Sequence, residues 1–184
     1  IKRMSAFLLC LMLLMGAFSS TALAAPDWPS GVSVQAESGI VIDADTGTVL
    51  WGQNIHNQYF PASITKIMTA LIVIETCSLD ETVTFSHNAV FNVEAGSSNA
   101  GINEGDKLSV KDCLYALLLK SANEAANALA EHVAGSTEAF ADMMNAKAKE
   151  LGCTDTHFAN PSGLNDPEHY TSTYDMALIA RAAF

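Results

Sequence analysis

The sequence predicts an α/β chain of the α+β type, in which a cluster of helices packs on an antiparallel sheet. Two short β-type runs, at 38–43 and 48–51, flank a turn at Asp45-Thr46-Gly47, a pattern typical of a hairpin. From residue 62 onward the apolar residues follow a mostly helical spacing. The 184 residues are 49% hydrophobic and 16% charged, which excludes a disordered chain and fits one globular domain.

The beginning of the chain has the pattern of an export signal. Two basic residues precede an uncharged stretch from Ala6 to Phe18, and Ala22-Leu23-Ala24 forms a small-x-small cleavage signal. The uncharged stretch is shorter than the roughly 20 apolar residues of a membrane-spanning helix. We therefore predict that residues 1–24 are a signal peptide and that residues 25–184 form the folded domain; a retained anchor or a buried helix is the alternative.

The apolar periodicity predicts the later elements in chain order. A nearly all-apolar pattern at 62–76 predicts a buried helix, and alternation at 82–86 predicts a short strand. Capping serines and stopping glycines delimit further helices over 110–120, 124–134, 137–151 and from 173 onward. Proline and glycine at 160–167 predict a long loop. The last helix is still running at Phe184, and these strands make too narrow a sheet for the helices, so we expect further strands beyond Phe184.

Charge and cysteine content exclude several classes of function. Lys and Arg number 9 against 20 Asp and Glu, a net charge of −11, which excludes nucleic acid as a partner. Cys77, Cys113 and Cys153 are odd in number and widely spaced, so they form no disulfide framework, and without a CxxC pair or nearby histidines they do not resemble zinc ligands. Cys77 and Cys113 are expected to be small buried hydrophobes. The five histidines show no metal-ligand spacing and are expected at surface or loop positions.

Ser63 and Lys66 are the first candidates for chemistry. A serine and a lysine three residues apart at the start of a helix lie on one face, so the amine can reach the hydroxyl. A serine hydroxyl becomes nucleophilic when a nearby base removes its proton, and lysine acts as that base when burial lowers its pKa. The backbone N–H groups at the helix start also suit a developing oxyanion. The pattern fits equally well a helix that Ser63 caps and from which Lys66 reaches solvent.

Ser121-Ala122-Asn123 is a candidate second polar group. This triplet interrupts a hydrophobic helix, where a hydroxyl and an amide can point into a cleft, relay a proton and orient Lys66. The S-x-N pattern itself is unspecific, because 86–88 and 97–99 also match it. The triplet at 121–123 is preferred because buried-type helix flanks it on both sides.

Four segments together resemble one enzyme family. They are Pro-Ala-Ser-Ile-Thr-Lys-Ile-Met-Thr-Ala at 61–70, Leu-Leu-Leu-Lys-Ser-Ala-Asn-Glu-Ala-Ala-Asn-Ala-Leu-Ala-Glu-His at 117–132, Asp-Ala-Asp-Thr-Gly at 43–47 and Asn-Pro-Ser-Gly-Leu at 160–164. In combination these segments resemble the serine D-alanyl-D-alanine carboxypeptidases, the low-molecular-mass penicillin-binding proteins. The resemblance covers nearly all of the chain after the signal.

The resemblance implies a reaction and a role for each site residue. Ser63 would be the acylated nucleophile, Lys66 its general base, and Ser121 and Asn123 the second catalytic element. The reaction would remove the terminal D-alanine from peptidoglycan stem peptides ending in D-Ala-D-Ala through an acyl-enzyme. β-Lactam antibiotics would acylate the same serine. Neither a metal nor an organic cofactor is expected, and the export signal predicts a location at the extracytoplasmic face of the bacterial cell envelope.

The resemblance also implies that the chain holds only part of the catalytic domain. The implied fold is the penicillin-binding-protein/β-lactamase-like transpeptidase fold, here lacking its C-terminal strands. The family's third element is Lys-Thr/Ser-Gly, and none of the lysines after residue 24 begins such a triplet. We expect this element beyond Phe184, so residues 25–184 are predicted to be an incomplete catalytic domain that is inactive alone. Contact with the membrane is expected only through the missing C-terminal region.

Two other functions are alternatives at this point. A serine β-lactamase would share Ser63, Lys66 and the second element, but it would also be expected to carry a Glu-x-x-x-Asn loop. Here Glu150 is followed four residues later by Thr154, and Glu168 by Ser172. A non-catalytic penicillin-binding sensor, or an inert fragment, is the other alternative, and only the intact Ser63 and Lys66 argue against it.

Overall fold

The computed structural model describes residue 31 and residues 34–184. More of these residues lie in helices than in strands. The predicted signal peptide at 1–24 lies outside the described residues. The helices are α1 (Lys66–Thr76), α2 (His87–Phe91), α3 (Val110–Leu119), α4 (Asn123–Ala134), α5 (Thr137–Glu150) and α6 (Thr173–Ala183). The strands are β1 (Gly39–Ile42), β2 (Val49–Gln53), β3 (Gln58–Tyr59), β4 (Thr82–Thr84), β5 (Lys107–Ser109) and β6 (Thr171–Ser172). All of these elements lie in the unit formed by residues 33–184.

The predicted hairpin at the start of this unit is confirmed. β1 and β2 pair antiparallel, with Val41 opposite Trp51. The turn between them is closed by Asp43, whose Oδ1 accepts hydrogen bonds from the backbone N–H and the hydroxyl of Thr46. Gly47 has φ +75°, a left-handed conformation that favours glycine. Arg181 of α6 donates to the carbonyls of Ala44 and Asp45, both at 2.7 Å, and so ties the turn to the last helix.

The sheet differs from the prediction. In the described residues the strands form three separate two-stranded antiparallel pairs, β1–β2, β3–β6 and β4–β5. The strand predicted at 82–86 is confirmed as the shorter β4, but β3, β5 and β6 were not predicted. Each of them has two or three residues, which is too short for alternation to be visible in the sequence.

The helix ends follow the capping signals of the sequence. Ser109 accepts a hydrogen bond from the N–H of Asp112, and Ser172 accepts one from that of Asp175, both at 3.1 Å. Gly135, with φ +84°, ends α4 in the left-handed conformation. The helix predicted over 62–76 begins instead with a separate 3-10 turn, Ala62–Thr65, before α1. The short α2 was not predicted.

The core forms around α4. This helix packs against α1, α2, α3 and α5, and its alanines allow the neighbouring helices to approach closely. The largest fully buried side chains come from all over the unit: Phe85, Phe140, Phe158, Met68, Leu117, Leu129, Met144 and Ile179. Cys113 is buried as predicted, whereas Cys77 is only half-buried. Within the described part of the chain, no helix combines the length and apolar character needed to cross a bilayer.

Candidate active site

Ser63 lies on the exposed 3-10 turn that leads into α1. The residue before it, Ala62, has φ +50°, an uncommon conformation for a residue with a Cβ atom. Lys66 is the first residue of α1 and lies on the same face as Ser63, with 3.3 Å between Lys66 Nζ and Ser63 Oγ. No side-chain cap is formed at the start of the turn, so the interpretation of Ser63 as a helix cap is wrong.

Lys66 is buried, with 2% of its surface exposed. Its Nζ donates to Asn123 Oδ1 at 2.8 Å and to the carbonyl oxygen of Ser162 at 2.6 Å. The alternative in which Lys66 reaches solvent is therefore also wrong. Burial lowers the pKa of Lys66 from its usual 10.5 to about 8, because desolvation disfavours the ammonium form. At pH 7, roughly a tenth of such an amine is neutral.

Ser121 completes a chain of hydrogen bonds with Ser63. Its hydroxyl donates to Ser63 Oγ at 2.8 Å. Ser121 lies between the end of α3 and the start of α4 and has φ +55°, so the structure contains the interruption that the sequence predicts at this position. Asn123 then begins α4 beside Lys66. The structure thus brings together all four predicted site residues, Ser63, Lys66, Ser121 and Asn123.

The other two S-x-N triplets make no contact with Lys66. Ser86 caps α2 by accepting a hydrogen bond from the N–H of Ala89 at 3.0 Å. The triplet at 97–99 lies in a loop beside the site, where the carbonyl of Ser98 accepts from the N–H of Asn123 at 3.0 Å. The preference for the triplet at 121–123 therefore agrees with the geometry.

The segment 160–164 supplies a backbone acceptor that sequence reasoning missed. Asn160 Oδ1 accepts from the backbone N–H groups of Ser162 and Gly163, at 3.2 and 2.8 Å, and holds the loop in a tight turn. The turn presents the carbonyl of Ser162 to Lys66 and that of Pro161 to the Thr69 hydroxyl. The resemblance pointed to this segment, but no sequence signal assigns a function to a backbone carbonyl.

Gly163 allows the loop to approach the turn that carries Ser63. Its φ is +84°, and a Cβ atom at this position would overlap the backbone carbonyl of Ala62. A side chain would therefore be excluded both by conformation and by contact. Glycine is required here because two backbone segments meet directly.

His169 is a second feature that the sequence did not reveal. It lies in a loop, as expected, but it is not at the surface, because only 1% of its area is exposed. Its Nδ1 accepts from the N–H of Ala159, so Nε2 carries the ring proton and donates to Thr65 Oγ1 at 2.8 Å. Burial lowers the pKa of His169 to about 4, so the ring is neutral near pH 7 and holds Thr65 beside Lys66.

A cleft of about 330 Å³ opens over Ser63. Its walls are the 3-10 turn, the loop around 94–98, the start of α4 and the segment 162–165. Glu124, 2% exposed, anchors the first of these loops by accepting the N–H of Ala100 at 2.6 Å. Its negative charge opposes the effect of burial on Lys66 and raises the pKa of that amine. The cleft therefore presents a serine hydroxyl beside a buried lysine, an arrangement suited to nucleophilic catalysis.

Comparison with known proteins agrees with this chemistry. The model of peptidase family S11, described as D-alanyl-D-alanine carboxypeptidase, matches residues 21–184. The chain belongs to this family. Two relatives are the D-alanyl-D-alanine carboxypeptidases DacF of Bacillus subtilis, 38% identical over 98% of the chain, and DacD of Escherichia coli, 38% identical over 85%. The chain covers 47% of DacF and 42% of DacD, so it spans about half the length of the curated relatives it matches.

Solved structures of penicillin-binding proteins have the same fold as this chain. Penicillin-binding protein 6B of Escherichia coli superposes with a TM-score of 0.80 at 36% identity, covering 85% of this chain and 52% of that protein. The fold class predicted from the sequence, that of the penicillin-binding DD-peptidases with helices and antiparallel strands, is confirmed. The residues matched by the family model include Ser63, Lys66, Ser121 and Asn123.

Proposed function

We propose that the protein containing this chain is a serine carboxypeptidase that removes the terminal D-alanine from peptidoglycan stem peptides ending in D-Ala-D-Ala. Membership of peptidase family S11 supports the reaction class. The observation that carries the proposal is the position of Ser63 Oγ, 3.3 Å from the buried amine of Lys66 and 2.8 Å from the Ser121 hydroxyl. Catalytic roles for Ser63, Lys66, Ser121 and Asn123 are part of the proposal.

The contacts of Lys66 suit a general base. A neutral amine has two N–H groups and one lone pair. The two N–H groups point to Asn123 Oδ1 and to the Ser162 carbonyl, the two shorter contacts. The lone pair then faces Ser63 Oγ, the longer contact, and can accept the serine proton. Asn123 and the Ser162 carbonyl thus orient the amine without removing its basicity.

Acylation follows from this arrangement. Ser63 Oγ bonds to the carbonyl carbon of the penultimate D-alanine while its proton passes to Lys66 Nζ. The Ser121 hydroxyl gives a proton to the leaving nitrogen and is reprotonated from Lys66, so the peptide C–N bond breaks and D-alanine leaves. The N–H groups at the start of the Ser63 turn are suited to stabilise the negative charge on the carbonyl oxygen.

Deacylation uses the same groups in reverse. Water attacks the ester carbon, Lys66 accepts the water proton, and that proton returns to Ser63 Oγ as the ester bond breaks. The products are the shortened peptide and free enzyme. A β-lactam would acylate Ser63 through opening of its ring, and the acyl group would remain until water removes it.

We place this reaction at the extracytoplasmic face of the cell envelope, following the predicted export signal, with membrane contact only through a region C-terminal to Phe184. The substrate is the wall peptide itself, and no metal or cofactor takes part in the steps above.

The test uses the purified full-length protein. We expect release of D-alanine from a synthetic peptide ending in D-Ala-D-Ala and covalent labelling by a fluorescent penicillin. Ser63→Ala should abolish both, because the nucleophile is removed. Ser78→Ala, which changes an exposed serine at the other end of α1, is the matched control and should retain both.

Other results would identify the alternative functions. Rapid hydrolysis of the penicillin with no D-alanine released would indicate a β-lactamase. Stable labelling with no release would indicate a sensor. Labelling that persists in Ser63→Ala would contradict the assignment of the nucleophile.

A further inference from the structure

Three potential metal ligands meet at the end of the α1–α4 pair opposite the candidate active site. The Cys77 thiol, a Glu81 carboxylate oxygen and a His132 ring nitrogen all lie within 4.8 Å of one another. In the part of the chain that the structure describes, this is the one group of three such ligands. The expectation that the cysteines have no close histidine is therefore wrong for Cys77, because it considered spacing along the chain alone.

The backbone holds the three residues in place. Cys77 is the residue that ends α1, and Glu81 follows in a turn closed by hydrogen bonds between Glu81 and Ser78, at 3.1 and 2.6 Å. The turn is fixed to the start of α3, because Val110 N–H donates to the Glu81 carbonyl at 2.9 Å. His132 lies in the last turn of α4. The cluster thus joins elements that the core already holds together.

The chemical types match zinc. Thiolate, imidazole and carboxylate are its usual protein ligands, and three of them with one water give a common tetrahedral set. In such a shell the ligand atoms are separated by about 3.4–3.6 Å. His132 Nε2 and Glu81 Oε2 are already 3.0 Å apart. The three atoms lie within 4.8 Å of one another, so side-chain rotations that change these separations by about 1 Å would bring them to the distances of a zinc shell.

The local charge also favours a cation. Cys77 ends α1 and His132 lies in the last turn of α4, so the negative ends of two helix dipoles lie at the cluster. Glu81 adds a carboxylate, and the whole chain has a net charge of −11. An unpaired cation bound here would therefore be stabilised by its surroundings.

We propose that Cys77, Glu81 and His132 bind one zinc ion, with water as the fourth ligand. The thiol binds as thiolate and releases its proton to solvent. The ion would clamp the C-terminal end of α1 to that of α4, while the bond between Lys66 and Asn123 joins their N-terminal ends. Since α1 has 11 residues, the ion would lie about 16 Å from Lys66, too far away to take part in the proposed chemistry at Ser63.

Cobalt binding provides a direct test on the full-length protein. The protein is freed of metal with a chelator under reducing conditions and titrated with Co²⁺. We expect one equivalent to give the thiolate-to-cobalt charge-transfer band in the near ultraviolet, and Zn²⁺ to displace it. A hundredfold excess of zinc over its Kd should raise the Tm of the full-length protein by roughly 3–5 °C.

Substitutions distinguish metal binding at this cluster from adventitious binding elsewhere on the protein. Cys77→Ser should remove the band and weaken zinc binding by roughly 100-fold or more. Its matched control is Cys153→Ser, which changes another half-buried thiol and should keep both. His132→Gln should weaken binding but keep the band at high cobalt. Its control is His87→Gln, since His87 and Glu104 form a similar pair at 2.9 Å outside the cluster.

Several outcomes would overturn the proposal. They are the absence of a thiolate band in the native protein, a band that survives Cys77→Ser, or equal loss in Cys77→Ser and Cys153→Ser. Circular dichroism in chelator shows whether each variant is folded, and His132→Gln gives an independent answer if Cys77→Ser is not. None of these measurements uses Ser63, so they are independent of the proposed carboxypeptidase activity.

Discussion

The two ends of the α1–α4 helix pair place polar side chains in opposite environments. At the N-terminal ends, Lys66 is 2% exposed and is held by Asn123 and the Ser162 carbonyl. At the C-terminal ends, Glu81 and His132 are exposed and Cys77 is half-buried. One end of the helix pair thus carries a buried polar cluster, and the other end carries an exposed one.

The difference shows how burial selects the chemistry of a cluster. Desolvation brings the pKa of Lys66 to about 8, close enough to neutrality for the proposed proton transfer from Ser63. The exposed cluster keeps access to solvent and side-chain freedom, which an ion needs to enter and bind. A rigid, shielded site favours acid–base chemistry, and an adjustable, open site favours ligand binding.

Among the substitutions that test this difference, replacing the buried amine of Lys66 should have the largest effect on activity. Lys66→Met keeps much of the side-chain volume but removes the base, so acylation by penicillin should slow about 10²–10⁴-fold. The acceptors on Asn123 and Ser162 lose their donor, so stability should also fall by on the order of 1–3 kcal/mol. Acylation rates and urea unfolding of the full-length protein measure the two effects. Lys149→Met, at an exposed position on α5, is the control, and a rate in Lys66→Met within tenfold of the native value would contradict the assignment.

The close approach at Gly163 gives the second prediction. Gly163→Ala adds a methyl group that overlaps the Ala62 carbonyl, in addition to the cost of φ +84°, so the free energy of unfolding should fall by about 3 kcal/mol or more. Gly105→Ala is the matched control, because Gly105 has the same φ with open space around it. That variant should lose only about 1–2 kcal/mol. Equal losses in urea unfolding would show that the contact with Ala62 has no energetic importance.

His169 should make the buried end sensitive to acid. Its pKa is about 4 in the folded protein and near 6.5 when unfolded, so below pH 6.5 the unfolded state binds the proton more readily. The stability that neutral His169 contributes is complete above pH 6.5 and is lost as the pH falls toward 4, a loss on the order of 3 kcal/mol at most. Urea unfolding from pH 7.5 to 4.5 measures it.

A non-titrating variant isolates that effect. His169→Gln should be less stable near pH 7 but should lose less stability than the native protein between pH 6.5 and 4.5. His56→Gln, at an exposed histidine, should keep the native pH dependence. Parallel curves for all three proteins would contradict the prediction.

The contrast between the two ends also explains what the sequence could predict. Ser63 and Lys66 are neighbours on one helical turn, and Ser121 and Asn123 lie at a visible break between helices, so local patterns identified them. The Ser162 carbonyl and His169 are about 100 residues away in the sequence from the residues that they contact. A local sequence pattern carries no information about contacts between such distant segments. The same holds for His132, which meets Glu81 from 51 residues away. Most helices were predicted because their caps are local, whereas the very short strands depend on partners elsewhere in the chain.

Glu124 offers the smallest and most specific change at the buried end. Its charge raises the pKa of Lys66, against the larger effect of burial, so Glu124→Gln should lower that pKa below about 8. The side chain keeps its shape, and its amide oxygen can still accept the N–H of Ala100. In the proposed mechanism neutral Lys66 is the reactive form, so the rise of the acylation rate with pH should move to lower pH, and the rate at pH 7 should increase. Glu131→Gln, about 10 Å further along α4, should leave the pH profile unchanged. A profile that stays in place in Glu124→Gln, with the variant folded, would mean that Glu124 positions the loop at 94–100 and does not tune the amine.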